Sequence, residues 1–144
     1  MKTRWAALVG AALMLAGCQK GPVVSDAWVR LPAVPGRPAA AYATIHSGGS
    51  ADHVLVAVTS PAIARAELHE SMAGHGGMMS MQPIDRVAIG RGVVTFAPGG
   101  RHVMLFGVSG DLRPGGTVPL TFRFADKEAV TVDAKLVGAG DPAP

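Results

Sequence analysis

From residue 24 onward the chain runs as short stretches in which apolar and polar positions alternate, each closed by Gly, Pro, Ser or Asp. This pattern predicts strands at residues 24–31, 40–46, 53–59 and 64–69, then 87–89, 93–96 and 102–108, and finally 118–124 and 129–137. Thr121-Phe122-Arg123-Phe124 and Val130-Thr131-Val132 show the period of two most plainly, as half-buried strands should. Turn signals recur at Ser47-Gly48-Gly49, Pro98-Gly99-Gly100 and Pro114-Gly115-Gly116. No stretch has the spacing of an amphipathic helix, and no internal repeat is present. Many short strands with regular Gly/Pro punctuation argue for an all-β, antiparallel sandwich or barrel. Residues 138–144 read as a frayed tail.

The first residues break this pattern. Lys2 and Arg4 precede an apolar or small-residue run from Trp5 to Ala16, which ends in Leu15-Ala16-Gly17-Cys18. A basic start, an apolar stretch and small residues at its end make an export signal, and the run is shorter than the roughly 20 residues of a spanning helix. Leu15-Ala16-Gly17-Cys18 resembles the lipobox of bacterial lipoproteins, in which cleavage precedes the cysteine and lipid is attached to its sulfur. The expected organisation is a cleaved signal at 1–17, a lipidated tether at 18–25 containing Gly21-Pro22, a single domain at 26–137 and the tail. The protein is then held in the bacterial periplasm by a membrane anchor at Cys18, and Gln19 rather than Asp favours the outer membrane.

Cys18 is the only cysteine, so the exported domain has no thiol for a disulfide or a metal. It must be stabilised by its own core, and a soft metal there must be met by Met and His. The formal net charge of +3 includes Lys2 and Arg4, and falls to about +1 without them. With no basic stripe or aromatic series either, no nucleic-acid partner is expected.

The unusual chemistry lies in residues 69–81, HESMAGHGGMMSM, with two His and four Met among three Gly. Met normally fills cores, yet this polar, glycine-rich stretch is no core strand or helix. A second cluster, His102-Val103-Met104, falls on a predicted strand, where residues two apart share a face. Thioether sulfur is soft and neutral; it suits Cu(I) and does little for Mg, Ca or Mn. Structural zinc sites prefer thiolate. Two imidazoles with two thioethers form a neutral set that keeps copper reduced. No nucleophile–base pair accompanies the cluster, so no enzyme activity is expected.

Plainer readings exist for single residues. His46 and His53 flank the turn at 47–52 and read as solvated surface residues; Met104, among Val103, Leu105 and Phe106, reads equally as core. An electron-transfer cupredoxin needs a Cys thiolate beside its His ligands, and the exported chain has none. A copper-sequestering protein, or a structural lipoprotein whose Met-rich loop contacts a partner without metal, is the alternative.

The chain resembles the PCuAC family of periplasmic copper chaperones associated with the dicopper centre of cytochrome oxidase. Their motif is a His, ten residues, a Met, twenty-one residues, then His-x-Met. Glu67-Leu68-His69-Glu70, Met81-Gln82-Pro83 and Pro98-Gly99-Gly100-Arg101-His102-Val103-Met104 carry the likeness, with Asp26-Ala27-Trp28-Val29-Arg30, Ala40-Ala41-Tyr42 and the stretch at 116–122 beyond them. The spacing from His69 to His102 equals the family's, but the family's Met position holds Ser80, a poor Cu(I) ligand. A one-residue insertion in the glycine loop, offset by a deletion near residues 90–92, would make Met81 the equivalent; Met79 is the first substitute. The resemblance implies a cupredoxin-like β-sandwich that binds Cu(I) through His69, Met81, His102 and Met104. It implies transfer to an acceptor such as a cytochrome oxidase subunit or another copper chaperone, for oxidase maturation or copper homeostasis. Met72, His75, Met78 and Met79 are secondary donors for Cu(II) or a second ion. The protein is expected to be a monomer.

Overall fold

The computed structural model describes residues 20–49 and 51–144; the expected signal, lipobox and Cys18 lie outside them. Ten strands follow one another: β1 (Val23–Arg30), β2 (Ala39–His46), β3 (His53–Thr59), β4 (Ile63–Ala73), β5 (Met79–Pro83), β6 (Val87–Gly90), β7 (Val93–Phe96), β8 (Arg101–Val108), β9 (Thr117–Phe124) and β10 (Ala129–Val137). Nine of them start and, β4 apart, end within about a residue of the period-two stretches. β4 runs on past His69 to Ala73, and β5 falls inside the Met-rich segment expected to be a loop.

The strands form a sheet in the order β5-β4-β8-β2-β1-β10-β9-β3-β6, with β7 beside β2. Every pairing is antiparallel except β1 with β10, which run parallel, with Trp28 opposite Lys135. The sheet wraps round so that one of its faces becomes the interior. On β2 the odd positions Ala39, Ala41, Ala43 and Ile45 point inward, while β4 and β8 contribute Leu68, Val103 and Leu105 to the same core. Leu55, Leu120 and Phe122 meet them from β3 and β9. Burying so many branched and aromatic side chains stabilises a domain that has no thiol to crosslink.

Val24 and Ser25, read from the sequence both as the end of the tether and as the start of the first strand, belong with Val23 to β1 and pair with residues of β2. Lys20 and Gly21 lie on the turn after β2, where Gly48 has φ +73° and a Cβ would meet the Gly21 carbonyl oxygen at 1.9 Å. Only glycine allows that approach. The tail is pinned: one Arg30 guanidinium nitrogen donates to the carbonyls of Gly138, Ala139 and Asp141, and the Asp141 carboxylate accepts the Gly138 N–H at 2.7 Å.

His53 is the clearest correction. Expected at the surface, it is 4% exposed, with Nδ1 2.6 Å from the Asp126 carboxylate and its ring edge-on to Phe124. A buried imidazole needs such a partner, and Asp126 is too distant in sequence to be read as one.

Candidate metal centre

The site is built on three neighbouring strands. β4 and β8 are paired in unbroken register from Arg65/Phe106 to Glu70/Arg101. Because side chains alternate, Leu68 and Val103 go inward while three cross-strand pairs go outward: Arg65 with Phe106, Glu67 with Met104, and His69 with His102. β5 extends this face as the edge strand, with Pro83 opposite His69 and Met81 opposite Ser71. The outer face thus presents His69 and His102 side by side, Met104 one step along β8, and Met81 diagonal to His69.

The same register sorts the remaining methionines. Ser80 pairs with Met72, and both project from the opposite face. Met79 shares the face of Met81 but pairs with Ala73, one further step from His69. His75 sits in a short 3-10 turn, His75–Gly77, and Met78 follows it at the hairpin tip. Gly76 and Gly77 both have positive φ, +82° and +77°, which turns the chain back on itself there.

Burial divides the donors. His102 is 5% exposed and the His69 side chain 13%, whereas Met81 is 63% exposed. The imidazoles are packed within the sheet, whereas Met81 is exposed on its edge strand. The two rings lie with centroids 5.6 Å apart and tilted by 34°.

Each ring has one nitrogen engaged and one without a partner. His102 Nδ1 is 3.1 Å from the Gly100 carbonyl oxygen, and His69 Nε2 is 3.0 Å from Glu67 Oε2. The other nitrogens, His102 Nε2 and His69 Nδ1, are buried without a hydrogen bond. Buried polar atoms are normally satisfied, so two orphans on neighbouring rings suit an ion that binds lone pairs. The Glu67 carboxylate also meets Arg65 at 2.5 Å. The hydrogen bond from His69, with the Arg65 guanidinium beside it, holds the Glu67 carboxyl below the usual carboxylate range. Among the described residues no group of three or more His, Cys, Asp or Glu is arranged to hold a metal ion. The strand register puts Met104 and Met81 on the same face as the two rings.

Two members of the site escaped the sequence reading. Glu67 lies two residues before His69 on a strand, and period two alone would have placed it on the same face. The Gly100 carbonyl carries no side-chain signal at all.

A family model described as Putative lipoprotein LpqE-like matches residues 23–136. The chain belongs to the LpqE-like family. The Leifsonia xyli subsp. xyli protein named Putative lipoprotein Lxx21020 is 33% identical over 107 residues, covering 74% of this chain and 63% of that protein. The chain therefore spans less than two thirds of that relative. The solution structure of CuI-DR1885 from Deinococcus radiodurans is 31% identical, with a TM-score of 0.63 and coverage of 85% of this chain and 83% of that one. The copper-bound PCuAC domain from PmoF2 has a TM-score of 0.67 at 24% identity, covering 81% of this chain and 92% of that one. This LpqE-like chain has the fold of the PCuAC domains, as its motifs led one to expect.

Proposed function

We propose that this LpqE-like protein carries Cu(I), bound by His69, His102, Met104 and Met81, and passes it to an acceptor protein in the bacterial envelope. The observation that carries this reading is the pair of buried, unpartnered nitrogens on His69 and His102, whose rings lie 5.6 Å apart on paired strands with Met104 two residues along β8. Two imidazoles and two thioethers add no charge to the ion, and soft sulfur favours the cuprous state. The likeness to DR1885, whose structure is described as its CuI form, supports the same cargo.

Transfer follows from the uneven burial. Three donors are set in the sheet, while Met81 stands exposed on the edge strand β5. An acceptor that brings its own sulfur or imidazole replaces Met81 first and then takes the ion by stepwise exchange. Such a protein is a carrier and not an enzyme. Lipid at Cys18 would hold it to a membrane, favouring the outer one by Gln19, and the acceptor would be a cytochrome oxidase subunit or another copper chaperone.

Anaerobic titration with Cu(I), followed by X-ray absorption at the copper edge, tests this reading. One copper per chain with two nitrogen and two sulfur neighbours is expected. Protein that retains no copper would return the Met-rich hairpin to a purely structural or partner-binding role.

A further inference from the structure

The two imidazoles of the site engage their anchors through different nitrogens. His69 uses the distal Nε2 on Glu67, and His102 uses the proximal Nδ1 on Gly100. We infer that Glu67 is a positioning residue for the copper site, holding His69 so that it binds the ion through Nδ1 while His102 binds through Nε2. This rests on the copper-carrier reading and goes beyond it, because the same four ligands are compatible with either nitrogen of each ring.

The assignment follows from what the anchors can accept. A carboxylate and a carbonyl have only lone pairs to offer. Each hydrogen bond therefore places the ring's proton on the anchored nitrogen, Nε2 in His69 and Nδ1 in His102. In the neutral ring the other nitrogen carries the lone pair. In both rings that other nitrogen, His69 Nδ1 and His102 Nε2, is buried without a hydrogen-bond partner.

Glu67 is itself held. Its second oxygen meets the Arg65 guanidinium, which lies over the Phe106 ring at 4.4 Å. Phe106, Arg65, Glu67 and His69 thus form one continuous row on the outer face of β4 and β8. The Gly100 carbonyl that anchors His102 also accepts the Ser71 N–H at 3.3 Å, so that anchor is part of the sheet. Of the two rings, only His69 depends on a side chain for its orientation. Outer partners of this kind fix the ring and raise its basicity as a ligand.

The test is nitrogen NMR of the imidazoles in the 15N-labelled full chain, before and after one equivalent of Cu(I), which is diamagnetic. The expected result is that Cu(I) moves the resonances of His69 Nδ1 and His102 Nε2, with His69 Nε2 and His102 Nδ1 still protonated. Glu67→Gln, which keeps an acceptor oxygen, should retain this pattern. Glu67→Leu should lose the protected His69 Nε2–H signal and about 10–100-fold in Cu(I) affinity, with the His102 shifts and the amide pattern of β4 and β8 unchanged. Copper bound through His69 Nε2, or a Glu67→Leu variant that binds as tightly as wild type, would overturn the inference and leave the carrier standing. Wild-type protein that takes up no Cu(I) would remove both.

Discussion

His69 and His102 stand directly opposite each other on β4 and β8, their ring centroids 5.6 Å apart. Their separation along the chain says nothing about this; the strand register creates it. The same register carries the hairpin arm β5 alongside, with Met81 opposite Ser71 and therefore diagonal to His69. Long side chains reach across such diagonals.

That diagonal distinguishes Met81 from its neighbours. Met81→Leu should weaken Cu(I) binding by about 10–100-fold, while Met78→Leu and Met79→Leu should change it little. Leu keeps volume and apolarity, so the fold should survive. Competition against a chromophoric Cu(I) chelator measures all three. If Met79→Leu loses affinity and Met81→Leu does not, the ligand assignment is wrong; if all three effects are small, the hairpin sulfurs substitute for one another.

The anchor is tested independently of copper. Cys18→Ser should abolish incorporation of a radiolabelled fatty acid, since no other cysteine exists in the chain to accept it. Equal label in wild type and variant would exclude Cys18 as the acceptor.

Tyr42 provides a titration of the outer face. It is 8% exposed and its ring centroid lies 4.4 Å from that of Trp28. Burial pushes its phenol up, with the Arg30 guanidinium opposing more weakly. A raised pKa means that the folded chain holds this proton more tightly than the unfolded one. The resulting stability is present in full below the unfolded value of about 10 and is lost as pH rises through the folded one. Because Tyr42 is the only tyrosine, absorbance of the phenolate reports it alone. Its midpoint should lie above about 10, with denaturant stability falling over the same range. A midpoint at or below the free value would contradict the buried setting.

The seat of the chain's entry into the domain predicts a stability effect. Gly48→Ala places a methyl where the Gly21 carbonyl already stands, at a residue whose φ is +73°. Relieving both strains should cost about 1–3 kcal/mol, seen as a lower Tm. Gly110→Ala, at an exposed turn with open space around it, is the control and should leave Tm nearly unchanged.

Nine strands were legible in the sequence because each writes burial contrast into a local alternation, and turn residues mark the breaks. The lack of any cysteine after Cys18 and the abundance of thioether and imidazole likewise belong to composition, and they restrict the metal before any geometry is known. β5 left no such trace. Met79-Ser80-Met81-Gln82-Pro83 is exposed on both faces, so its strand character comes from backbone pairing with β4 and from no side-chain pattern. Pairing also decided that Ser80 and Met81 point to opposite faces, and that the chain's first and last strands run parallel. His53 looked like a solvated residue because its partner, Asp126, comes from the distant β9–β10 turn. Alternation and residue chemistry are local properties that a sequence states outright. Register, and with it which atoms share a face, arises only when strands far apart in the chain are hydrogen-bonded side by side.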